Sequence, residues 1–307
     1  MITYYFKTVK DTQLKTVPEF RAGVWVHAVA PTEVELQHLI TTLNLDDNVV
    51  EDVQDFFEVP RQERSEGVTY LFTRYPFAET VEDTDTAPLL FVLGENFLLT
   101  ITQREVPQFD KFIDGKNPII TTQKIKLFIE LMEAITHSFE RQLVFLRKAV
   151  HRDRARLRRI GNREIVRFVA YEHKLNDFVA AAVPTSTAIQ QITKANHIQL
   201  FEEDRELMED LMVDTSQLVD SARSVLKTIQ NVRSATEAIL ANNLNTTIKT
   251  LTVLTILLTI PTIVASLFGM NVPLPLQDTP HAFWAVVGII LTSVGFVVWY
   301  FKKSEWL

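Results

Sequence analysis

From Thr250 to Gln277 the chain runs twenty-eight residues without a charged side chain, and Phe268-Gly269-Met270-Asn271 lies inside that run. A second uncharged run, Ala282 to Phe301, follows after a short gap. Each approaches the roughly 20 residues that an α-helix needs to cross the hydrocarbon core of a bilayer. The polar Gly-Met-Asn tripeptide therefore falls where the chain leaves one membrane span and turns back into the next.

The 307 residues carry a formal charge of −7, and the hydrophobic fraction of 47% is ordinary for a soluble protein. The mean hides the architecture, because the apolar residues concentrate in the C-terminal part. Roughly 245 residues precede the first span, enough for one or two soluble domains. Met1-Ile-Thr-Tyr-Tyr has no basic flank ahead of an apolar run, so no signal peptide is expected there. Cysteine is absent, which excludes a disulfide framework and a thiolate metal site and fits a reducing compartment. Lys249 abuts the first span and Lys302-Lys303 the second, while the turn between them holds only Asp278 and His281. The positive-inside rule then puts both termini in the cytoplasm of a multi-pass cell-membrane protein. Trp284 and Trp299-Tyr300 suit interfacial anchors in the lipid bilayer.

Ahead of the spans, Val24-Trp-Val-His-Ala-Val reads as a strand, and Thr32 as the N-cap of a helix with acidic residues in its first turn. Tyr70-Leu-Phe-Thr-Arg-Tyr, Leu89-Leu-Phe-Val-Leu and Phe97-Leu-Leu-Thr-Ile-Thr are further short strands, with a turn at Gly94-Glu95-Asn96. Asp114-Gly-Lys-Asn-Pro118 reads as a closing linker. After Thr121-Thr122 the pattern is helical, with breaks expected at Gly161-Asn162 and at Val183-Pro184-Thr-Ser186. From Glu202 to Phe268 there is no Gly, and no Pro before Pro261. Leu211, Leu218, Val225, Val232 and Ile239 recur at sevens, with small or polar residues such as Thr215, Ala222, Thr236 and Asn243 between, the signature of a helix-packing seam. A helix of that length would be roughly 100 Å long. The expected fold is an α+β membrane protein. It has an N-terminal cytoplasmic α/β domain over 1–117 and a cytoplasmic helical region over 118–247 that includes the lower part of a long helical stalk. A membrane domain over 248–307 follows, with two C-terminal transmembrane helices at about 248–268 and 282–301 and an external loop at 269–281.

Polar residues in the first span fall in register. Asn245, Thr252, Thr255, Thr259, Thr262 and Ser266 are spaced so that they share one helical face. Such hydroxyls can bond back to their own helix or glue it to a neighbour; they can also line a pore, which one stripe cannot enclose and which therefore demands an oligomer. The stripe carries no carboxylate. Mg²⁺ keeps its waters tenaciously, and a neutral wall of hydroxyl and amide oxygens would hold the hydrated ion weakly enough to let it pass. Ile248 and Leu251, at the cytoplasmic end of the same face, suit a hydrophobic constriction that gates by dewetting.

The Gly269-Met270-Asn271 exit, Pro261-Thr262 before it, the short loop, the second span and the tail Phe301-Lys-Lys-Ser-Glu-Trp-Leu307 together resemble the CorA-type magnesium transporters. Val24 to Thr32, Glu51-Asp52 leading to Pro60-Arg61, and Leu93-Gly-Glu-Asn-Phe97 are similar to that family's cytoplasmic domain. The resemblance covers the whole chain and implies a homopentamer, a funnel-shaped cytoplasmic part, and a pore lined by the first span of each subunit. It also implies that Asn271 recognises the hydrated ion, with Gly269 and Met270 shaping the mouth, and that Asn245, Ile248, Leu251, Thr255, Thr259, Thr262 and Ser266 face the lumen. The chain departs from the family in Val272 after the Asn and in Pro273-Leu-Pro-Leu-Gln-Asp278, where the loop acid is displaced. A zinc-transporting branch shares the architecture and a motif that also continues in Val.

Outside the spans, Glu202, Glu203, Asp204, Glu206, Glu209, Asp210 and Asp214 crowd the start of the long helix. They read either as a solvated face suited to a helix N-terminus or as a low-affinity divalent site between subunits. By the resemblance, Asp210 matches the family's stalk carboxylate, Asp83 or Asp85 is its candidate partner, and Mg²⁺ held there closes the channel. Arg147 to Arg167 is a basic stretch whose interleaved Leu, Val and Ile favour a solvated helix face over nucleic-acid or anionic-lipid binding, and no nucleic-acid partner is expected. The seven histidines show no metal-ligand spacing, and neither a Ser-His-Asp nor a phosphate-loop pattern is found, so no enzyme is expected. The expected function is uptake of hydrated Mg²⁺, with Co²⁺ or Ni²⁺ as possible further cargo, gated by cytoplasmic Mg²⁺. The alternatives are a Zn²⁺ transporter on the same scaffold or a non-conducting, membrane-anchored cation sensor.

Overall fold

The computed structural model describes residues 1–80, 83–154, 162–194, 200–271, 281–304 and 306. The chain divides into two compact units, Met1–Val232 and Arg233–Leu307. In the first, seven strands form one mixed sheet: β1 (Ile2–Phe6), β2 (Lys15–Val17), β3 (Val24–Val29), β4 (Arg61–Ser65), β5 (Val68–Thr80), β6 (Asp83–Leu93) and β7 (Phe97–Thr102). Their order is β2-β1-β3-β7-β6-β5-β4. Only β3 and β7 pair in parallel, with Val24 opposite Phe97 and Val29 opposite Thr102.

Both faces of the sheet are covered, so its central strands are apolar without alternation. Val24, Val26, Tyr70, Phe72, Leu90, Val92, Leu99 and Ile101 pack beneath α1 (Glu33–Leu43) and α2 (Asp47–Glu51). Trp25, Leu71, Tyr75, Leu89, Phe91 and Leu98 face the opposite way. There they meet α3 (Asp110–Ile113), α4 (Lys124–Arg154), α5 (Asn162–Lys194) and the first part of α6 (Glu202–Phe268). The expected Thr32 cap forms as a reciprocal box: Glu35 N–H donates to Thr32 Oγ1 at 3.3 Å, and Thr32 N–H donates to Glu35 Oε2 at 2.8 Å. Such a box satisfies two otherwise orphaned helix donors. At the β6–β7 turn a Cβ on Gly94 would lie 2.2 Å from the Phe97 ring. Lys124, at the start of α4, donates to the Gly94 and Glu95 carbonyls at 2.6 Å each and ties that turn to the helical layer.

The break expected at Val183-Pro184 does not occur, and α5 runs unbroken through Pro184. Pro removes one backbone donor, yet Thr185 donates its hydroxyl to the Ala181 carbonyl at 2.8 Å and accepts from the Thr73 hydroxyl on β5 at 3.0 Å. Burial of Ala181, Ala182 and Ala188 on the same helix holds it against the sheet. Gly161 lies outside the described residues. The seam on α6 is buried at Leu211, Leu218, Val225 and Val232, while Ile239 is 44% exposed, so the buried seam of the first unit ends at Val232. α6 then continues into the second unit, which it shares with α7 (Ala282–Lys303). The apolar windows of both helices are almost wholly unburied. That separates them from core helices, since apolar surface of this extent is stable only against lipid or another chain.

His27 on β3 is buried between Trp25 and Phe109, and its Nδ1 lies 2.8 Å from Thr100 Oγ1. Burial holds its imidazole down at about 4. The neutral ring is compatible with the fold and the charged ring is not. Between about pH 6.5, where the unfolded chain begins to take up the proton, and pH 4, stability should therefore fall by about 3 kcal/mol. Denaturant unfolding of the detergent-solubilised protein, followed by Trp fluorescence at pH 7, 5.5 and 4, should show this loss, and His27→Gln should flatten it.

Candidate functional site

The site is built on the part of α6 that belongs to the second unit. At 3.6 residues per turn, Asn245, Ile248, Leu251, Thr252, Thr255, Thr259, Thr262 and Ser266 all point within about 60° of one direction. Each threonine of the stripe spends its proton on its own helix. Thr252 donates to the Ile248 carbonyl at 2.8 Å, Thr255 to Leu251 at 2.8 Å, Thr259 to Thr255 at 2.7 Å and Thr262 to Leu258 at 2.8 Å. A hydroxyl has one donor and two lone pairs, so what these four threonines present outward is acceptor character only. Ile248 and Leu251 stand 53% and 62% exposed at its lower end, an apolar step below the oxygens.

The helix closes at Phe268. Gly269 N–H bonds to the Ala265 carbonyl at 2.9 Å and Met270 N–H to the Leu267 carbonyl at 3.3 Å, which tightens the last turn. A Cβ on Gly269 would stand 3.3 Å from the Ala265 oxygen and 3.5 Å from the Ser266 oxygen, so glycine leaves these terminal carbonyls uncovered. A helix C-terminus carries about half a negative charge. The mouth is thus electronegative without a carboxylate, and Asn271 stands exposed just past it. The loop acid Asp278 lies outside the described residues.

A second contact in this unit had only its sequence signature, the Trp near the end of the chain. The Trp306 ring packs on Phe301 with ring centroids 5.6 Å apart, and the Trp306 backbone N–H donates to the Phe301 carbonyl at 3.0 Å. The Lys249 ammonium of α6 sits 5.8 Å from the Trp306 ring centroid, within cation–π range. Val253, one turn above Lys249, and Phe301 are the buried apolar side chains among the described residues of 237–307. The tail therefore docks on a flank of α6 and leaves the stripe free.

In the first unit, the carboxylates singled out from sequence fall in two places. Asp85 is exposed on β6, where Arg74 and the Asp177 carboxyl feel its charge. Asp210 and Asp214 lie on α6, where both raise the half-buried Glu133 carboxyl of α4. Burial is the largest cause of that raised value, and His137 opposes it. The Asp83 side chain lies outside the described part. Within one chain no group of three or more His, Asp or Glu side chains among the described residues could hold a metal ion. Glu133 was not picked out from sequence. Its signal is a carboxylate set among Leu131, Met132, Ala134 and Ile135, all of which are buried.

With the two exposed apolar helices, the hydroxyl stripe and the Gly-Met-Asn exit in place, residues 21–303 match the family described as CorA-like Mg²⁺ transporter protein. The chain belongs to that family. Its members are transporters rather than enzymes. The cobalt/magnesium transport protein CorA of Methanocaldococcus jannaschii is 25% identical over 291 residues, covering 92% of this chain and 91% of the relative. The complete structure of the M. jannaschii CorA magnesium transporter superposes with a TM-score of 0.86 at 22% identity, over 100% of this chain and 99% of that one. The cytoplasmic domain of ZntB from Vibrio parahaemolyticus is similar to 78% of this chain, and 98% of that domain is covered, with a TM-score of 0.63 at 8% identity. The CorA fold, with its soluble α/β part, long helix and two apolar C-terminal helices, is therefore the fold of this chain.

Thr259→Val tests the stripe at constant volume. It removes one oxygen and keeps the helix, so a stripe that conducts should lose flux severalfold in proteoliposomes, whereas Thr292→Val on α7, whose hydroxyl makes the same one-turn bond at 2.7 Å, should change it little.

Proposed function

We propose that this CorA-family protein is a homo-oligomeric channel, pentameric by the resemblance, that admits hydrated Mg²⁺ to the cytoplasm down its electrochemical gradient. The observation that carries the reading is the row of back-bonded threonines leading to Gly269-Met270-Asn271. Water bound to a cation turns its hydrogens outward, so a hydrated Mg²⁺ approaches as a shell of donors. A wall of lone pairs receives that shell without stripping it, which suits an ion that dehydrates reluctantly. An anion's shell turns its oxygens outward and finds no free hydroxyl proton on the four threonines. Asn271, one residue past the electronegative mouth, reads the shell before entry, and Met270 and Gly269 set its position. An inward-negative potential favours entry by about 2.3 kcal/mol per charge per 100 mV, so a divalent ion needs no coupled energy source. Both termini lie in the cytoplasm on this reading, and the membrane domain begins near residue 248.

Cytoplasmic Mg²⁺ closes the channel by bridging Asp210 of one subunit to Asp83 or Asp85 of the next, with Glu133 adding to the field at Asp210. Bound ions offset the repulsion among the acids that open α6. Co²⁺ is the first competitor to test, because the name of the M. jannaschii relative joins cobalt to magnesium. Ni²⁺ and Zn²⁺ follow on the same scaffold, and a non-conducting sensor would bind cations without flux.

Proteoliposomes under an imposed Mg²⁺ gradient and potential should take up Mg²⁺, with Co²⁺ competing; absence of flux would overturn the channel. Asn271→Ala should reduce flux at least tenfold while the oligomer, measured by light scattering in detergent, stays intact. Asp210→Lys places a fixed positive charge where the ion would sit. An ion at ten times its dissociation constant adds only about 1.4 kcal/mol per site, so several sites must act together. Millimolar Mg²⁺ should protect the wild-type protein from protease and protect Asp210→Lys much less; equal protection would return these acids to a solvated face.

A further inference from the structure

The basic stretch that begins at Arg147 enters none of the roles proposed above, and its first residues border a cleft between α4 and α6 in the first unit. The cleft has a volume of about 260 Å³ and is lined by Arg147, Val150 and His151 of α4 and by Ser224, Val225 and Thr228 of α6. On each helix the two polar residues are four apart and so stack on one face. Val150 and Val225, 1% and 4% exposed, form an apolar floor that belongs to the main core. We propose that this cleft binds a phosphoryl group, that of free phosphate or diphosphate or of a nucleoside polyphosphate.

The donor set carries the argument. Arg147 offers a planar fork of N–H groups suited to two phosphate oxygens at once, and it makes no ion pair among the described residues. Across the cleft, the Ser224 hydroxyl is a donor, while the Thr228 hydroxyl gives its proton to the Ser224 carbonyl at 3.0 Å. His151 adds a ring N–H. No carboxylate is among the described residues that line the cleft. The neighbouring Asp153 is 4% exposed and turned to α5, where the Tyr171 hydroxyl donates to it at 3.0 Å and Arg167 lies 4.0 Å away. Arg154, seven residues beyond Arg147 and so on the same face of α4, is also exposed. In a chain of net charge −7 Arg147 and Arg154 concentrate positive potential on one helix face, which draws anions. The cavity is smaller than the roughly 300–1,000 Å³ of sites that enclose a drug-sized ligand, so a nucleotide would seat its phosphates here and leave its base outside. A phosphoryl group held by Arg147 and Ser224 would bridge α4 to α6.

Isothermal titration of the full-length protein in detergent with sodium pyrophosphate, in Mg²⁺-free buffer, tests this without reference to ion flux. One saturable site per chain is expected. Arg147→Gln should weaken it at least tenfold and Ser224→Ala severalfold. Lys148→Gln removes the same charge one residue away, outside the cleft, and should change affinity less than twofold. Equal weakening by Arg147→Gln and Lys148→Gln would mean diffuse attraction to a basic surface and overturn the site, as would the absence of saturable binding to the wild-type protein. Parallel titrations with phosphate, ATP and adenosine separate the sources. Tighter binding of ATP than of pyrophosphate points to a nucleotide, equal or weaker binding points to the free anion, and adenosine binding as tightly as ATP would overturn the phosphoryl assignment.

Discussion

A threonine on a helix lies within reach of the carbonyl one turn behind it, and along α6 each stripe threonine hands its proton to that carbonyl. The bond is local and needs neither water nor a neighbouring helix as acceptor. This one constraint polarises the face, with hydrogens turned in and lone pairs turned out. Thr292 on α7 obeys the same rule, so the bond by itself does not mark a conduit. What distinguishes α6 is that six polar side chains and an apolar step share a direction and end at a glycine that bares the last carbonyls.

The soluble unit answers to a different constraint. Its sheet is buried on both faces, and its polar groups are settled locally. Trp25 donates to Thr100 at 2.9 Å, Arg74 donates to the carbonyls of Phe56, Glu58 and Thr86, and Lys124 holds the β6–β7 turn. Its carboxylates stand mostly at the surface and are divided between the Asp85 side and the Asp210 side. That division suits ligands brought by separate subunits better than a cage within one chain.

Much of this was legible in the residues. The long helix α6 from Glu202 to Phe268 was readable because no Gly interrupts it and its one Pro, Pro261, stays within the helix, and the strands at Val24, Tyr70, Leu89 and Phe97 announced themselves as apolar, β-branched or aromatic runs. β1, β2 and β4 did not, because Ile2–Phe6 is partly exposed throughout and Lys15–Val17 and Arg61–Ser65 are short polar edge segments that lack an apolar run of their own. Pro184 misled for a related reason, since packing of its neighbours outweighed the lost backbone donor. The stripe was readable from spacing alone, as was its ambiguity between lumen and packing. The proximity of Glu133 to Asp210 was not, since it arises only when α4 and α6 lie against one sheet.

The parallel pairing of β3 with β7 also bears on how the protein is made. β3 lacks its central neighbour until Thr102 has left the ribosome, and the first apolar span begins near Thr250. At 5–20 residues per second, the interval between the two is roughly 7 to 30 seconds, long compared with the milliseconds to seconds in which mixed sheets commonly form. The sheet can therefore close in water before any hydrophobic span is available to compete for its exposed strands. What reaches the membrane is then a body already folded, trailing its anchor behind it.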